Sequence, residues 1–269
     1  MRFRILTVFC ILCSYTGFSQ NLEVGGLIGS AHYFGDLNPD YSFARPGLSV
    51  TGFSRYNFDK HISGRASLSY ANIGFSDSYS TNTFQKNRNL NFYSDILDVN
   101  LRLEFNFFPL WHGTDDGWAP FLTAGVGVFS FNPKTTYQGK TYSLSEMGTE
   151  GQRKNFSYGT TQLYVSYGGG IKYDFTPSVS LNFEVAARLL FTDYLDDVSG
   201  NYPNINDLSE TRGPVSAALS DRSGEIPGAT PIGIEGRQRG DSKTTDSYIM
   251  IQIGLSYNFN ELRCPTFHQ

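Results

Sequence analysis

The 269-residue sequence is short of several things at once. It has three cysteines, Cys10, Cys13 and Cys264, and two of them fall in the first 13 residues, so no disulfide framework spans the remainder. Its four histidines are scattered and no Cys/His ligand spacing, phosphate loop or dinucleotide fingerprint is present, so no metal or cofactor is expected. Charged residues make up 17% of the chain, the formal net charge is -4 and no basic face exists, so nucleic acid is not an expected partner. Long apolar runs are missing too. Beyond the N-terminus no segment approaches the roughly 20 apolar residues of a membrane-spanning helix.

What is abundant points to strands. Phenylalanine (22), tyrosine (17) and glycine (28) are plentiful, and Ser, Thr and Asn recur throughout, which favours strands and turns over helices. The opening "MRFRILTVFCILCSYTGFSQN" has two arginines, an apolar run from Ile5 to Leu12 and Ser19 before Gln20. That is the layout of a secretory signal peptide, here residues 1–19. A lipoprotein cleavage at Cys13 is the alternative, disfavoured because Cys10 stands where a leucine is usual.

Periodicity then overturns a soluble, secreted product. In Leu97–Phe107 every odd position is apolar, and Asp98, Asn100, Arg102, Glu104 and Asn106 occupy the even ones. That is period two over a full strand. Thr161–Phe175, Ser178–Phe191 and Tyr248–Phe259 repeat it, each with one long apolar face and one polar face. Four weaker segments, about Leu22–Ala31, Gly47–Tyr56, Ile62–Gly74 and Pro120–Ser130, fit the same template with the alternation blurred by glycine. The connections alternate between long and short: Tyr33–Pro46, Asn57–His61, Phe75–Asp95, Phe108–Ala119, Phe131–Thr160, Thr176–Ser178 and Thr192–Asp246. This predicts an all-β fold: an eight-stranded antiparallel up-and-down transmembrane β-barrel over residues 20–259, with long extracellular loops, short periplasmic turns and a periplasmic tail over 260–269. Both mature termini are then periplasmic and the outer membrane is the expected location. Aromatic residues at strand ends, including Phe107, Phe108, Trp111, Tyr173, Phe175, Phe191, Tyr257 and Phe259, suit an interfacial girdle. In Thr192–Asp246 the Val215–Leu219 stretch suits a short helix.

The polar faces collect His61, Arg65, Asp98, Arg102, Glu104, Lys172, Asp174, Glu184 and Arg188. An eight-stranded barrel is only wide enough for side chains to fill it, so a paired ionic plug is expected, without a pore or a catalytic dyad. Its core is Arg65, Asp98, Arg102, Glu104, Lys172, Glu184 and Arg188. Ser30 and His32 are the only Ser/His pair worth weighing for a lipid hydrolase, with Asp36 nearby, and no nucleophile motif surrounds them. No catalytic residue and no small-molecule substrate are expected. "WHGTDDGW", Trp111–Trp118, either docks a partner or sits at the membrane interface. Cys264, in the tail "NELRCPTFHQ", is the mature chain's only cysteine, an incidental thiol or one half of an intermolecular disulfide.

Four stretches taken in order carry a resemblance: "VGGLIGSAHYFGDLNP", "LLFTDYLDDVSGNY", "AALSDR" and "RCPTF". Together, from about Leu22 to Phe267, they resemble the PorG-like outer-membrane barrels of the Bacteroidota type IX secretion system. The resemblance implies a non-enzymatic barrel that holds the periplasmic ring of that machinery, a lipoprotein and its ring partner, at the outer membrane. Carried over to this chain, the partner-facing residues would be Trp111 and Trp118 in the turn, with Arg263, Cys264, Pro265 and Phe267 in the tail. A generic OmpA-like structural or adhesive barrel is the alternative, followed by an outer-membrane lipid-modifying hydrolase.

Overall fold

The computed structural model describes residues 22–108, 117–153, 158–176, 178–228 and 230–259. Their strands are β1 (Leu22–Phe34), β2 (Gly47–Asn57), β3 (Ile62–Ser76), β4 (Asn91–Asn106), β5 (Trp118–Tyr137), β6 (Lys140–Ser143), β7 (Thr161–Thr176), β8 (Val179–Leu190) and β9 (Ser247–Asn258). All pairings are antiparallel, in the order β4-β3-β2-β1-β9-β8-β7-β5, and β4 pairs with β5 to close the ring. Eight strands therefore form a barrel without a free edge. The short β6 stands outside the ring and extends β5 as a hairpin.

The residue pattern explains why the sheet closes with its apolar face outward. On β4 the odd residues from Leu97 to Phe105 are exposed, whereas Asp98, Asn100, Arg102, Glu104 and Asn106 are buried. Leu68, Leu122, Val126, Leu163, Ile171, Phe183, Ile253 and Leu255 continue this exposed apolar belt round the wall. Such a belt over a polar interior is the inverse of a water-soluble barrel and marks a membrane-spanning one. Ten residues of strand at roughly 3.3 Å each and a tilt of about 45° give some 23 Å of height, close to the apolar band of such barrels.

Three strands run further than the sequence pattern indicated, because the sense of the alternation flips. β4 begins at Asn91 and β5 continues to Tyr137, so the expected loops Phe75–Asp95 and Phe131–Thr160 are partly strand. In this upper part the inward residues turn apolar: Ala71, Ile73, Phe75, Phe92, Ile96, Phe129 and Phe131 belong to one buried cluster. The outward ones turn polar, with Lys134 paired to Asp95 at 3.2 Å and Tyr70 Oη donating to Asp95 at 2.8 Å. Below Leu97 the wall is greasy outside and charged inside; above it the wall is that of a water-soluble protein.

The long connections build a cap over this upper part. It holds α1 (Thr83–Arg88), α2 (Leu144–Met147), α3 (Ile205–Arg212) and α4 (Pro214–Ser220), the last covering the expected Val215–Leu219 helix. Asn204 caps α3 by accepting from the Asn206 and Asp207 amides. Leu37, Leu144, Leu195, Val198 and Leu219 pack down from the loops onto Phe129, Tyr248 and Met250 of the wall. At the opposite end β2 and β3, and β7 and β8, are joined by tight turns.

Candidate functional site

Strand alternation points ionic side chains from six strands into one narrow lumen. Glu104 on β4 is the hub: Arg55 Nε lies at 2.8 Å, Arg65 Nη1 at 3.1 Å and Lys172 Nζ at 2.6 Å. Glu184 on β8 meets Arg65 Nη2 at 2.5 Å and Arg102 Nη1 at 2.6 Å. Glu23 on β1 meets Arg55 at 2.6 Å, and higher up Asp98 meets Arg188 Nε at 3.0 Å. Every member of these pairs is at most 3% exposed. The cations also stack on rings: Arg55 and Arg65 on Phe53 at 4.9 and 5.1 Å, and Lys172 on Phe121 at 4.6 Å. Charge paired this densely fills the space that a pore would need. Among the described residues, the lumen carboxylates Glu23, Asp98, Glu104 and Glu184 are each ion-paired.

The structure brings together all seven core residues named from the sequence, Arg65, Asp98, Arg102, Glu104, Lys172, Glu184 and Arg188. His61 does not join them, contrary to expectation: it is exposed at the foot of β3, its ring Nδ1 2.9 Å from the Asn106 carbonyl. Asp174 sits half-buried at the rim, accepting from Ser180 Oγ at 2.5 Å. Glu23 and Arg55 escaped the sequence reading. Both lie on glycine-rich strands, and the inward Phe53 beside Arg55 breaks the polar face. Those glycines have a steric reason. A Cβ on Gly25 would lie 2.5 Å from the Phe53 ring, and one on Gly127 would lie 2.5 Å from Tyr164 Oη.

Trp118 opens β5, half exposed and edge-on to Phe108 at 5.4 Å, in the aromatic ring of the short-turn rim. Trp111, Arg263, Cys264, Pro265 and Phe267, with the signal segment 1–19 and the tail 260–269, lie outside the described residues. Ser30 and His32 are joined, Oγ to Nε2 at 2.9 Å, on the outer wall. His32 Nδ1 is buried without a hydrogen-bond partner among the described residues, and both Asp36 carboxylate oxygens accept from the Asp241 amide. The orienting acid of a nucleophilic triad is therefore missing from this pair.

The cap holds a second buried polar cluster that periodicity could not reveal. Arg88 grips Asp77 through Nε and Nη2 at 2.8 and 2.7 Å and donates to the Arg239 carbonyl. Arg239 pairs with Glu150 at 3.0 Å, and Asp197 accepts from Thr149 and Tyr158 at 2.5 and 2.8 Å. Tyr33, at the top of β1, points its hydroxyl at Asp196 (2.5 Å) and Asp246 (3.1 Å). One hydroxyl carries one proton, so the second of these contacts needs a proton on a carboxyl. Gly35 makes room for this, since a Cβ there would collide with Asp246 and Tyr33 Oη. Burial first, then neighbouring carboxylates, push Asp196 and Asp246 well above the ordinary range. The same causes raise Asp36 to about 6 and Asp193 to about 7. Three of the stretches that carry the family resemblance meet here: Tyr33–Asp36, Asp193–Tyr202 and Ser220–Arg222, with the Ser220 carbonyl accepting from Arg239.

A closed eight-stranded sheet, apolar outside and ion-paired inside, defines a transmembrane β-barrel of the outer-membrane type. The chain belongs to the family described as Domain of unknown function (DUF6089), whose family model matches residues 2–214. No curated protein matches it in sequence. Among solved structures it is similar to Neisserial surface protein A, at 10% identity and TM-score 0.43, over 88% of this chain and 96% of that one. It is also similar to OprG from Pseudomonas aeruginosa, at 10% identity and TM-score 0.44, over 89% and 95% of the two chains. Ail, the attachment invasion locus protein of Yersinia pestis, gives 10% identity and TM-score 0.41 over 88% and 98%.

Proposed function

We propose that the protein is a non-enzymatic outer-membrane barrel that anchors the periplasmic ring complex of a type IX secretion system, a lipoprotein with its ring partner, to the membrane. The observation that carries this reading is where the chain's ends meet. The Phe259 amide donates to the Leu22 carbonyl at 3.1 Å, so both ends of the described barrel lie at the short-turn rim, the rim that also carries Trp118. In this reading that rim faces the periplasm, and Arg263, Cys264, Pro265 and Phe267 of the tail are the residues proposed to meet the ring. The filled lumen supports it by leaving no route for transport, so the barrel offers its surfaces and its position. The four stretches that resemble PorG-like barrels supply the identity of the partner.

The test has two parts. The ring proteins are expected to co-purify with the full-length barrel and to be lost when the chain is truncated after Phe259; unchanged recovery removes the tail from the mechanism. Deletion of the gene is expected to abolish release of secreted cargo. Normal secretion would replace this reading with that of a structural or adhesive barrel working through its long loops.

A further inference from the structure

The first long loop, residues 35–46, does not stand up from the barrel. It folds back over the outside of β1. The outward row of that strand runs Val24, Gly26, Ile28, Ser30, His32 and Phe34, with Ile28 55% exposed and His32 only 7%. What covers the upper members is the loop's own aromatic pair: Phe43 stands edge-on to His32 at 4.7 Å and to Phe34 at 5.4 Å, and Tyr41 lies 5.3 Å from Phe34. The loop is fixed in this position. Asn38 Nδ2 donates to the Tyr33 and Ser42 carbonyls at 2.7 and 2.8 Å, its Oδ1 accepts from the Ser42 amide at 2.9 Å, and Leu37 is buried in the cap core. Tyr41 is held at φ 53, a left-handed conformation costly for any residue with a Cβ.

The outer faces of the two rings nevertheless remain open, Tyr41 at 69% and Phe43 at 53% exposure. Their surroundings say what covers them. Leu48 pairs with Ser30 across β1 and β2, Ile249 pairs with His32 across β1 and β9, and the exposed Ile28, Leu48 and Val50 make the rings continuous with the apolar belt. Ten residues separate Leu22 at the short-turn rim from His32, which at roughly 3.3 Å each and about 45° of tilt puts the loop some 23 Å above that rim, at the far edge of the apolar band. Aromatic rings with a polar tip are enriched at that depth.

We propose that residues 35–46 form a membrane-seated ledge whose Tyr41 and Phe43 rings lie in the lipid interface at the long-loop side, sealing the Ser30–His32 pair from the acyl chains. The occupant of the patch is lipid, by continuity with the belt. This rests on the membrane-spanning reading of the barrel. It is independent of any secretion partner.

The test is a depth measurement on the mature protein, residues 20–269, which lacks Cys10 and Cys13, reconstituted in phosphatidylcholine bilayers. Nitroxide labels are placed by Tyr41→Cys, Phe43→Cys, Ile28→Cys and Tyr79→Cys in a Cys264→Ser background, and collision rates with oxygen and with a water-soluble nickel chelate are read for each. Tyr79, also half exposed, is the reference in the cap, and Ile28 the reference in the belt. The expected oxygen-to-nickel ratio at 41 and 43 is several-fold above that at 79 and approaches that at 28. A ratio at 41 and 43 equal to that at 79 overturns the ledge while leaving the barrel reading intact. Low collision with both reagents would mean protein cover and overturns it equally. A water-like ratio at 28 would overturn the barrel reading and the ledge with it.

Discussion

Replacing Glu104 with Gln tests the ionic plug at its hub. The change keeps the side chain's shape and removes the one charge that faces Arg55, Arg65 and Lys172 at 2.8, 3.1 and 2.6 Å. Glu184 still holds Arg65 and Glu23 still holds Arg55, which leaves the Lys172 ammonium with the Asn106 carboxamide oxygen at 2.9 Å. Removing one partner of a buried pair costs about 3–5 kcal/mol, and Glu104 belongs at the top of that range because three cations depend on it. Glu23→Gln, which removes a single partner from Arg55, is expected to cost about 1–3 kcal/mol. The double variant Glu104→Gln/Lys172→Met takes away the stranded charge and is expected to recover part of the loss, a coupling on the order of 1 kcal/mol or more. Unfolding of the bilayer-reconstituted barrel in denaturant, followed by tryptophan fluorescence and by gel mobility with and without heating, measures all three. Glu104→Gln within about 1 kcal/mol of wild type, with no recovery in the double variant, would refute the reasoning, because the lumen would then be wet enough to solvate its charges.

Two further outcomes follow from the cap and from the glycines. The cap carboxyls bind protons more tightly folded than unfolded, so their stabilisation is complete below about pH 4 and fades as pH rises through the native values. Those values are about 6 for Asp36 and Asp197 and about 7 for Asp193, with Asp196 and Asp246 also well above the ordinary range. Amide exchange around Val198–Tyr202, corrected for its intrinsic base catalysis, should lose protection between pH 5 and 8, and Asp246→Asn should flatten that dependence; a flat wild-type profile would count against the shared proton. In the lumen, Gly127→Ala drives a Cβ into Tyr164 and should cost about 1–3 kcal/mol. Gly52→Ala faces open space and should cost far less, so equal effects would mean that the lumen yields to added volume.

Legibility differed from strand to strand for physical reasons. β4, β7, β8 and β9 could be read outright because lipid on one side and charged or polar side chains on the other enforce the alternation. β1 and β2 were blurred because a narrow ring needs glycine where neighbouring rings fill the lumen, which concealed Glu23 and Arg55. The upper ends of β3, β4 and β5 were lost where the alternation changes sense at Leu97, since a period-two reading assumes one environment per face. The cap was out of reach altogether. Tyr33 and Asp246 are 213 residues apart, and no local pattern announces that they meet.

The arrangement of the interior ion pairs bears on how the barrel is assembled. Arg55–Glu104 joins β2 to β4, Glu104–Lys172 joins β4 to β7, Arg65–Glu184 joins β3 to β8, and Arg188–Asp98 joins β8 back to β4. None of these four pairs lies within a single hairpin, although Glu23–Arg55 joins β1 to β2 and Arg65–Glu104 joins β3 to β4. A β7–β8 hairpin entering the bilayer alone would carry Lys172, Glu184 and Arg188 into hydrocarbon without their partners on β3 and β4, at a cost that its few backbone bonds could not offset. Insertion and closure are thus bound into one event: the sheet has to curl, and its charges find one another, before or while the membrane takes it up.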